Sequence, residues 1–118
     1  MSDGRISPAE AHAKMANEGF TYVDVRTPGE FEGGRPQGSV NVPLDERFVA
    51  SMRERFAADA KIIVGCGSGP RSARAAKALA AAGYTSVLEN HAGWDGTRGT
   101  FGELIEPGWR RLGLPVDQ

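Results

Sequence analysis

The chain has 118 residues, of which 40% are hydrophobic and 25% are charged, and its formal net charge is −1. This length and composition indicate one folded domain over residues 1–118 rather than a disordered chain. The balanced charge argues against nucleic acid or a membrane surface as a partner. The sequence has neither the roughly 18 consecutive apolar residues of a membrane span nor the apolar core of a signal peptide, so we expect a cytoplasmic protein.

The first third of the chain predicts a helix, a strand and a loop. Residues 7–10, Ser-Pro-Ala-Glu, form a capped helix start, and Gly19 is placed to end that helix. The aromatic and β-branched residues of 20–25 predict a strand. Residues 26–38 are rich in Gly and Pro and predict a loop, and a short strand is expected at 40–43.

The rest of the chain alternates between helix and strand patterns. Apolar residues recur every fourth position from Leu44 to Phe56 and predict an amphipathic helix that begins near Asp45. The other predicted elements are a strand at 61–65, a helix at 72–82, a strand at 85–88, a long loop at 91–102 and a short helix at 109–112. This alternation predicts an α/β fold with a parallel sheet.

Cys66 is the only cysteine, so it cannot form an internal disulfide. A lone cysteine is usually an inert core residue, and that interpretation stays open. Cys66, however, directly follows the buried strand 61–65, and parallel α/β sheets bind ligands where strands end. The next residues, 67–71, contain two glycines and lead into a predicted helix.

The composition of this loop suits a reactive, anionic sulfur. Gly67 and Gly69 allow the backbone to curl and turn its N–H groups inward, which forms an anion-binding nest. The helix N-terminus adds a partial positive charge, and Arg71 adds a full one. Each of these groups favours a thiolate over a thiol. We therefore predict that Cys66 is a nucleophile whose loop attracts an anionic donor such as thiosulfate.

Three segments resemble the single-domain rhodanese (thiosulfate sulfurtransferase) family: residues 23–31 (VDVRTPGEF), 38–43 (GSVNVP) and 62–72 (IIVGCGSGPRS). They extend roughly over residues 20–94 in the family's order and spacing. The resemblance implies a central, mainly parallel five-stranded sheet flanked by helices on both faces. It also implies a persulfide on Cys66, which passes its sulfur to a thiol, cyanide or a protein acceptor without a cofactor.

The same resemblance assigns expected roles to individual residues. Asp24 and Arg26 are expected to form an ion pair that supports the Cys66 loop, a role we favour over direct catalysis, and Glu30 is expected to cap or brace the loop 26–38. Arg35 could recruit anions at the mouth of the pocket, although we favour an exposed arginine without that role, and Trp94 could either line the pocket rim or serve in packing. The residues expected to cradle the persulfide are Gly67, Ser68, Gly69, Pro70 and Arg71.

The leading interpretation is an enzyme that transfers sulfur, and two alternatives remain. One is a sulfur-relay or sulfide-sensing protein with poor small-molecule turnover. The long segment 94–107 could shape the choice of acceptor or contact another protein, and small acceptors would be disfavoured if it covers the pocket. The other is a phosphatase or arsenate reductase, which the short Cys66–Arg71 loop and the single cysteine disfavour. His12 and His91 are too few and too separated for a metal site, and no apolar excess suggests an oligomer, so we expect a monomer without a metal.

Overall fold

The structure is a computed structural model that describes residues 4–118. Its helices and strands, in chain order, are β1 (Arg5–Ile6), α1 (Pro8–Glu18), β2 (Thr21–Asp24), α2 (Pro28–Glu32), β3 (Arg35–Pro36), β4 (Val40–Asn41), α3 (Phe48–Arg55), β5 (Ile62–Gly65), α4 (Pro70–Ala81), β6 (Val87–Asn90), β7 (Gly96–Arg98), β8 (Leu104–Pro107), a 3₁₀ helix (Trp109–Arg111) and β9 (Val116–Asp117).

The main sheet has five strands in the order β1-β6-β5-β2-β4, and every pair is parallel. The predicted α/β fold is therefore confirmed. Strand β5 lies in the middle of the sheet because all of its residues, Ile62–Gly65, are buried and apolar or small. The sheet brings the ends of β2, β5 and β6 to one edge, where Cys66 follows β5.

Helices cover both faces of this sheet, and the alternation of side chains along β5 explains why. Ile62 and Val64 point into a core cluster that includes residues of α3 and α4. Ile63 points to the opposite face, into a cluster with Ala11 of α1 and Trp109 of the 3₁₀ helix. Both faces of the central strand are thus buried, which fixes its register against its neighbours.

The capped start of α1 is confirmed. The Ser7 hydroxyl accepts a hydrogen bond of 3.1 Å from the Glu10 N–H, and the Glu10 carboxylate accepts one of 2.9 Å from the Ser7 N–H. Gly19 ends the helix in the left-handed region, with φ of 76°. Helix α4 begins at Pro70, two residues earlier than predicted, because proline suits the first helical position.

Two segments predicted as loops contain regular structure. Within 26–38 lie the helix α2 and the strand β3, and β3 pairs with β9 near the end of the chain. A capping box between Thr27 and Glu30 starts α2, a signal that the glycine and proline content obscured. Within 91–102 lies β7, which forms an antiparallel hairpin with β8.

Other boundaries moved by a few residues. Helix α3 begins at Phe48 rather than near Asp45, because Asp45 starts a turn in which its carboxylate accepts from the Arg47 N–H at 2.9 Å. Strand β6 lies two residues later than predicted, because the Thr85 N–H is held by the carbonyl of Ala58. The predicted C-terminal helix is a 3₁₀ turn. Within residues 4–118, no helix is long and apolar enough to cross a bilayer.

Candidate active site

The Cys66 sulfur is buried at the end of β5, with 2% of the residue exposed. It accepts two main-chain hydrogen bonds, from the Gly69 N–H at 3.1 Å and from the Ser72 N–H at 3.3 Å. Both donors belong to the start of α4, where N–H groups have no partner within the helix. The arrangement stabilises negative charge on the sulfur through two donors and the helix dipole.

Glycine is required at the turn between the cysteine and the helix. Gly69 has φ of +112°, which L side chains rarely adopt. A Cβ at this position would also lie 2.8 Å from the His91 ring and 2.9 Å from the His91 carbonyl oxygen. The left-handed turn lets the Gly69 N–H face the sulfur while His91 packs against the outside of the loop.

A second turn, at residues 92–95, holds the loop from its other side. The Trp94 N–H donates to the Cys66 carbonyl, and the Asp95 N–H donates to the Gly67 carbonyl, both at 2.8 Å. Gly93 lies in the left-handed region with φ of +65°, and a Cβ there would overlap the Cys66 carbonyl. The close approach of the two turns therefore depends on a residue without a side chain.

Arg71 contacts Glu30 of α2 rather than the sulfur. Its guanidinium donates to both carboxylate oxygens, at 2.7 and 3.1 Å. Hydrogen bonds from Arg71 lower the pKa of Glu30 to about 2, and the same bonds raise the pKa of Arg71. Glu30 also forms the capping box of α2 with Thr27, so this one carboxylate braces the loop 26–38, as predicted, and connects that loop to the Cys66 loop. Sequence patterns do not show the pairing of Glu30 with Arg71, because the two residues are far apart in the chain.

Asp24 and Arg26 form a buried ion pair beside the site. Their side chains are 2% and 4% exposed, and the guanidinium donates to the two carboxylate oxygens over distances of 2.8–3.1 Å. Arg26 also donates to the Gly34 carbonyl at 2.7 Å. Asp24 lies directly opposite Gly65 in the sheet, one residue before the cysteine. The pair therefore ties the segment after β2 to the strand that carries Cys66.

Arg35 and Trp94 are both packed against neighbouring side chains. The Arg35 guanidinium lies 4.8 Å from the centre of the Phe31 ring and donates to the Phe31 carbonyl at 3.2 Å. The Trp94 ring lies under the Arg26 guanidinium, 5.3 Å away, and Gly34 lies close to its edge. In the loop itself, Ser68 is exposed and Pro70 is the first residue of α4.

Comparison with known proteins agrees with this architecture. The profile of the Rhodanese-like domain family matches residues 7–99, which is most of the chain. The chain belongs to the rhodanese-like family.

Relatives of this rhodanese-like domain differ in length. It is 35% identical over 130 aligned positions to thiosulfate sulfurtransferase 16, chloroplastic, of Arabidopsis thaliana, an alignment that covers 98% of each chain. It is 34% identical over 97 positions to senescence-associated protein DIN1 of Raphanus sativus, covering 74% of this chain and only 53% of that protein. The crystal structure of Rv0390 from M. tuberculosis superposes with a TM-score of 0.80 at 29% identity, covering 100% of this chain and 99% of that one.

Three further side chains of the rhodanese-like domain form a chain of contacts that begins at the sulfur, and sequence reasoning missed this arrangement. The Ser72 hydroxyl lies 3.6 Å from the Cys66 sulfur and donates to the Glu89 carboxylate at 2.8 Å. The same oxygen of Glu89 lies 2.6 Å from Nδ1 of His91. In the sequence Glu89 stands directly after the predicted strand 85–88; the structure places it within β6 with a side chain that is 7% exposed. Within residues 4–118, no group of three acidic, histidine or cysteine side chains could hold a metal ion.

Proposed function

We propose that this rhodanese-like domain is a sulfurtransferase that carries sulfane sulfur as a persulfide on Cys66. The observation that carries the proposal is the pair of N–H donors, from Gly69 and Ser72, directed at a buried sulfur. Such donors favour the thiolate that attacks a donor. They also suit the anionic persulfide that follows, because the negative charge stays within the same loop.

The first half-reaction loads the cysteine. The Cys66 thiolate attacks the outer sulfur of thiosulfate, a bond forms between the two sulfurs, and the sulfur–sulfur bond of thiosulfate breaks. Sulfite leaves with the bonding electron pair, and the enzyme keeps a persulfide with one negative charge. Thiosulfate is proposed as the donor because relatives that match this chain carry the name thiosulfate sulfurtransferase. The short loop between Cys66 and Arg71 suits a single terminal sulfur.

The second half-reaction transfers the sulfur from the Cys66 persulfide to an acceptor. A thiolate or cyanide attacks the outer sulfur of the persulfide, and the Cys66 thiolate leaves as the sulfur–sulfur bond breaks. The products are an acceptor persulfide or thiocyanate, so charge and atoms balance and no cofactor is consumed. Arg71, fixed by Glu30, is proposed to hold the loop closed around the persulfide and to attract the anionic donor.

A second candidate is a sulfur-relay protein whose acceptor is another protein. The hairpin of β7 and β8 begins at Gly96, immediately after the turn at residues 92–95 that is hydrogen-bonded to the Cys66 loop. It carries exposed apolar side chains, Phe101 at 93% and Ile105 at 64% exposure. Exposed apolar residues beside a site favour contact with a partner protein.

Thiocyanate formation from thiosulfate and cyanide tests the enzyme directly. We expect catalytic turnover in the native protein and none in Cys66→Ser, which keeps the size of the side chain but removes the thiolate. A single stoichiometric release of sulfite without turnover would favour the relay candidate. Turnover in Cys66→Ser equal to that of the native protein would contradict the assignment of the nucleophile.

A further inference from the structure

The hydroxyl of Ser72 has one hydrogen and three neighbours that compete for it. The Glu89 carboxylate oxygen lies 2.8 Å away, the Gly69 carbonyl oxygen 3.0 Å away, and the Cys66 sulfur 3.6 Å away. The carboxylate is the nearest acceptor and the only charged one besides a thiolate. Ser72 therefore directs its hydrogen to Glu89 and presents a lone pair to the sulfur, which is the arrangement that suits a protonated thiol.

Glu89 is held in this position from several sides. Its carboxylate is 7% exposed, accepts from Ser72, lies 2.6 Å from Nδ1 of His91 and lies 3.4 Å from Nε of Arg5. It also lines a surface cavity of about 610 Å³ between α4 and β6. The charged or titratable groups that face it are Arg5 from β1, His91 from the turn after β6, and Arg74 and Lys77, which line the same cavity from α4. Cys66 lies on the other side of Ser72, where Tyr22 of β2 and Arg71 of α4 also interact with it electrostatically.

We propose that Glu89 is a positioning residue that, through Ser72, restrains ionisation of the Cys66 thiol and so favours the sulfur-loaded cysteine over the free thiolate. Two effects act in the same direction. The carboxylate occupies the Ser72 hydroxyl, which lies 3.6 Å from the sulfur and could otherwise donate to the thiolate. Its negative charge also lies within two hydrogen bonds of the sulfur, and a nearby like charge disfavours a second negative charge there.

The restraint weakens once sulfur is bound. In the persulfide the charge moves to an outer sulfur, about 2.05 Å from Cys66 Sγ. The outer sulfur cannot lie between Sγ and the Ser72 hydroxyl, which is 3.6 Å from Sγ, so the charge moves away from Ser72 and Glu89 while it stays within the loop whose N–H groups face Sγ. Glu89 therefore raises the free energy of the thiolate more than that of the persulfide. The preference for the persulfide rests on the proposed sulfur-transfer function, whereas the effect of Glu89 on ionisation of the free thiol does not.

The rate of alkylation by iodoacetamide, followed over roughly pH 5 to 10, tests the effect on the free thiol. We expect Glu89→Gln to lower the pH of half-maximal alkylation by about one pH unit, because the charge is lost and the neutral amide oxygen holds the Ser72 hydrogen less strongly. In a Ser72→Ala background the same substitution should produce less than half of that change. Asp59→Asn is the matched control, since Asp59 is an exposed carboxylate before β5, at the opposite end of the strand from Cys66.

An unchanged or higher half-maximal pH in a folded Glu89→Gln protein would overturn the proposal, and so would an equal change in both Ser72 backgrounds. If Glu89→Gln does not fold, Glu89→Asp shortens the side chain, withdraws it from Ser72 and should act in the same direction. At a pH above the alkylation midpoint, where the unloaded cysteine is a thiolate, the persulfide fraction at a fixed ratio of thiosulfate to sulfite should be several-fold lower in Glu89→Gln. If the native protein takes no sulfur from thiosulfate, the proposed function fails, while the alkylation result still decides the role of Glu89.

Discussion

The main-chain N–H of Trp94 donates a hydrogen bond of 2.8 Å to the carbonyl oxygen of Cys66. This bond joins the Cys66 loop to a turn nearly thirty positions later in the chain, and it requires the two backbones to touch. The residue that permits the approach is Gly93, whose φ is +65°. The position of Cys66 thus depends on a glycine outside its own loop.

Gly93→Ala should therefore damage both stability and activity. The added Cβ would overlap the Cys66 carbonyl, and the alanine would have to adopt a left-handed backbone conformation that is unfavourable for it. We therefore expect a loss of about 2 kcal/mol in the free energy of unfolding. Gly19→Ala is a matched control, because Gly19 has φ of +76° with no atom near its Cβ position. It should lose only about 1 kcal/mol and keep full activity. If Gly93→Ala and Gly19→Ala had equal effects on urea unfolding and on persulfide formation, the contact between Gly93 and the Cys66 carbonyl would not explain the requirement for glycine.

The Asp24–Arg26 pair should be a major contributor to stability. Asp24→Asn leaves a guanidinium that is 4% exposed without its counter-charge, which should cost about 3 kcal/mol of unfolding free energy. The double variant Asp24→Asn with Arg26→Met should recover part of this loss, because the unpaired charge is removed. Urea unfolding of the three proteins measures the difference. A double variant no more stable than the single one would show that the cost does not come from the unpaired charge.

Arg71→Lys should slow persulfide formation by roughly tenfold without unfolding the protein, because an ammonium cannot form the two-pronged contact with Glu30. Arg74→Lys is the control, since Arg74 is an exposed arginine on the same helix. Single-turnover sulfite release measures the rate. An unchanged rate in Arg71→Lys would mean that the backbone N–H groups alone hold the site.

The Glu30–Arg71 contact should give stability a specific dependence on pH. The folded protein lowers the pKa of Glu30 from 4.5 to about 2, so the contact is fully present above pH 4.5 and is lost as the pH falls through 2. Because the Glu30 side chain is 41% exposed, solvent screens the pair to about 1 kcal/mol or less. Glu30→Gln should be less stable than the native protein at pH 7, and the gap should close near pH 2. The exposed Glu32→Gln serves as control, and a gap of equal size at both pH values would contradict this assignment.

Local signals in the sequence predicted the scaffold well. The capping box at Ser7 and Glu10 and the buried strand before Cys66 each depend on a few neighbouring residues, so the pattern alone was sufficient. Helix α2 was missed because its signal, Thr27 and Glu30, is only one turn long and lies among glycines and prolines. Strand β1 has two residues, too few to produce a periodic pattern.

The long-range contacts of the site could not be predicted in the same way. Cys66 and its glycine loop are contiguous in sequence, and their arrangement follows from a strand ending at a helix start. The pairing of Arg71 with Glu30, and of Ser72 with Glu89, depends on which strands become neighbours and on which face each side chain occupies. A single sequence gives the period of a strand but not the partner that its side chains will meet.

Intact mass after incubation with thiosulfate, with and without later addition of cyanide, tests the central claim most directly. We expect the native protein to gain one sulfur atom, which cyanide removes, and Cys66→Ser to gain none. Peptide mapping should place the added sulfur on Cys66, the only cysteine in the chain. If the native protein gains no sulfur from thiosulfate or from another sulfane-sulfur donor, or if Cys66→Ser gains sulfur equally, then Cys66 does not carry the persulfide and the account is contradicted.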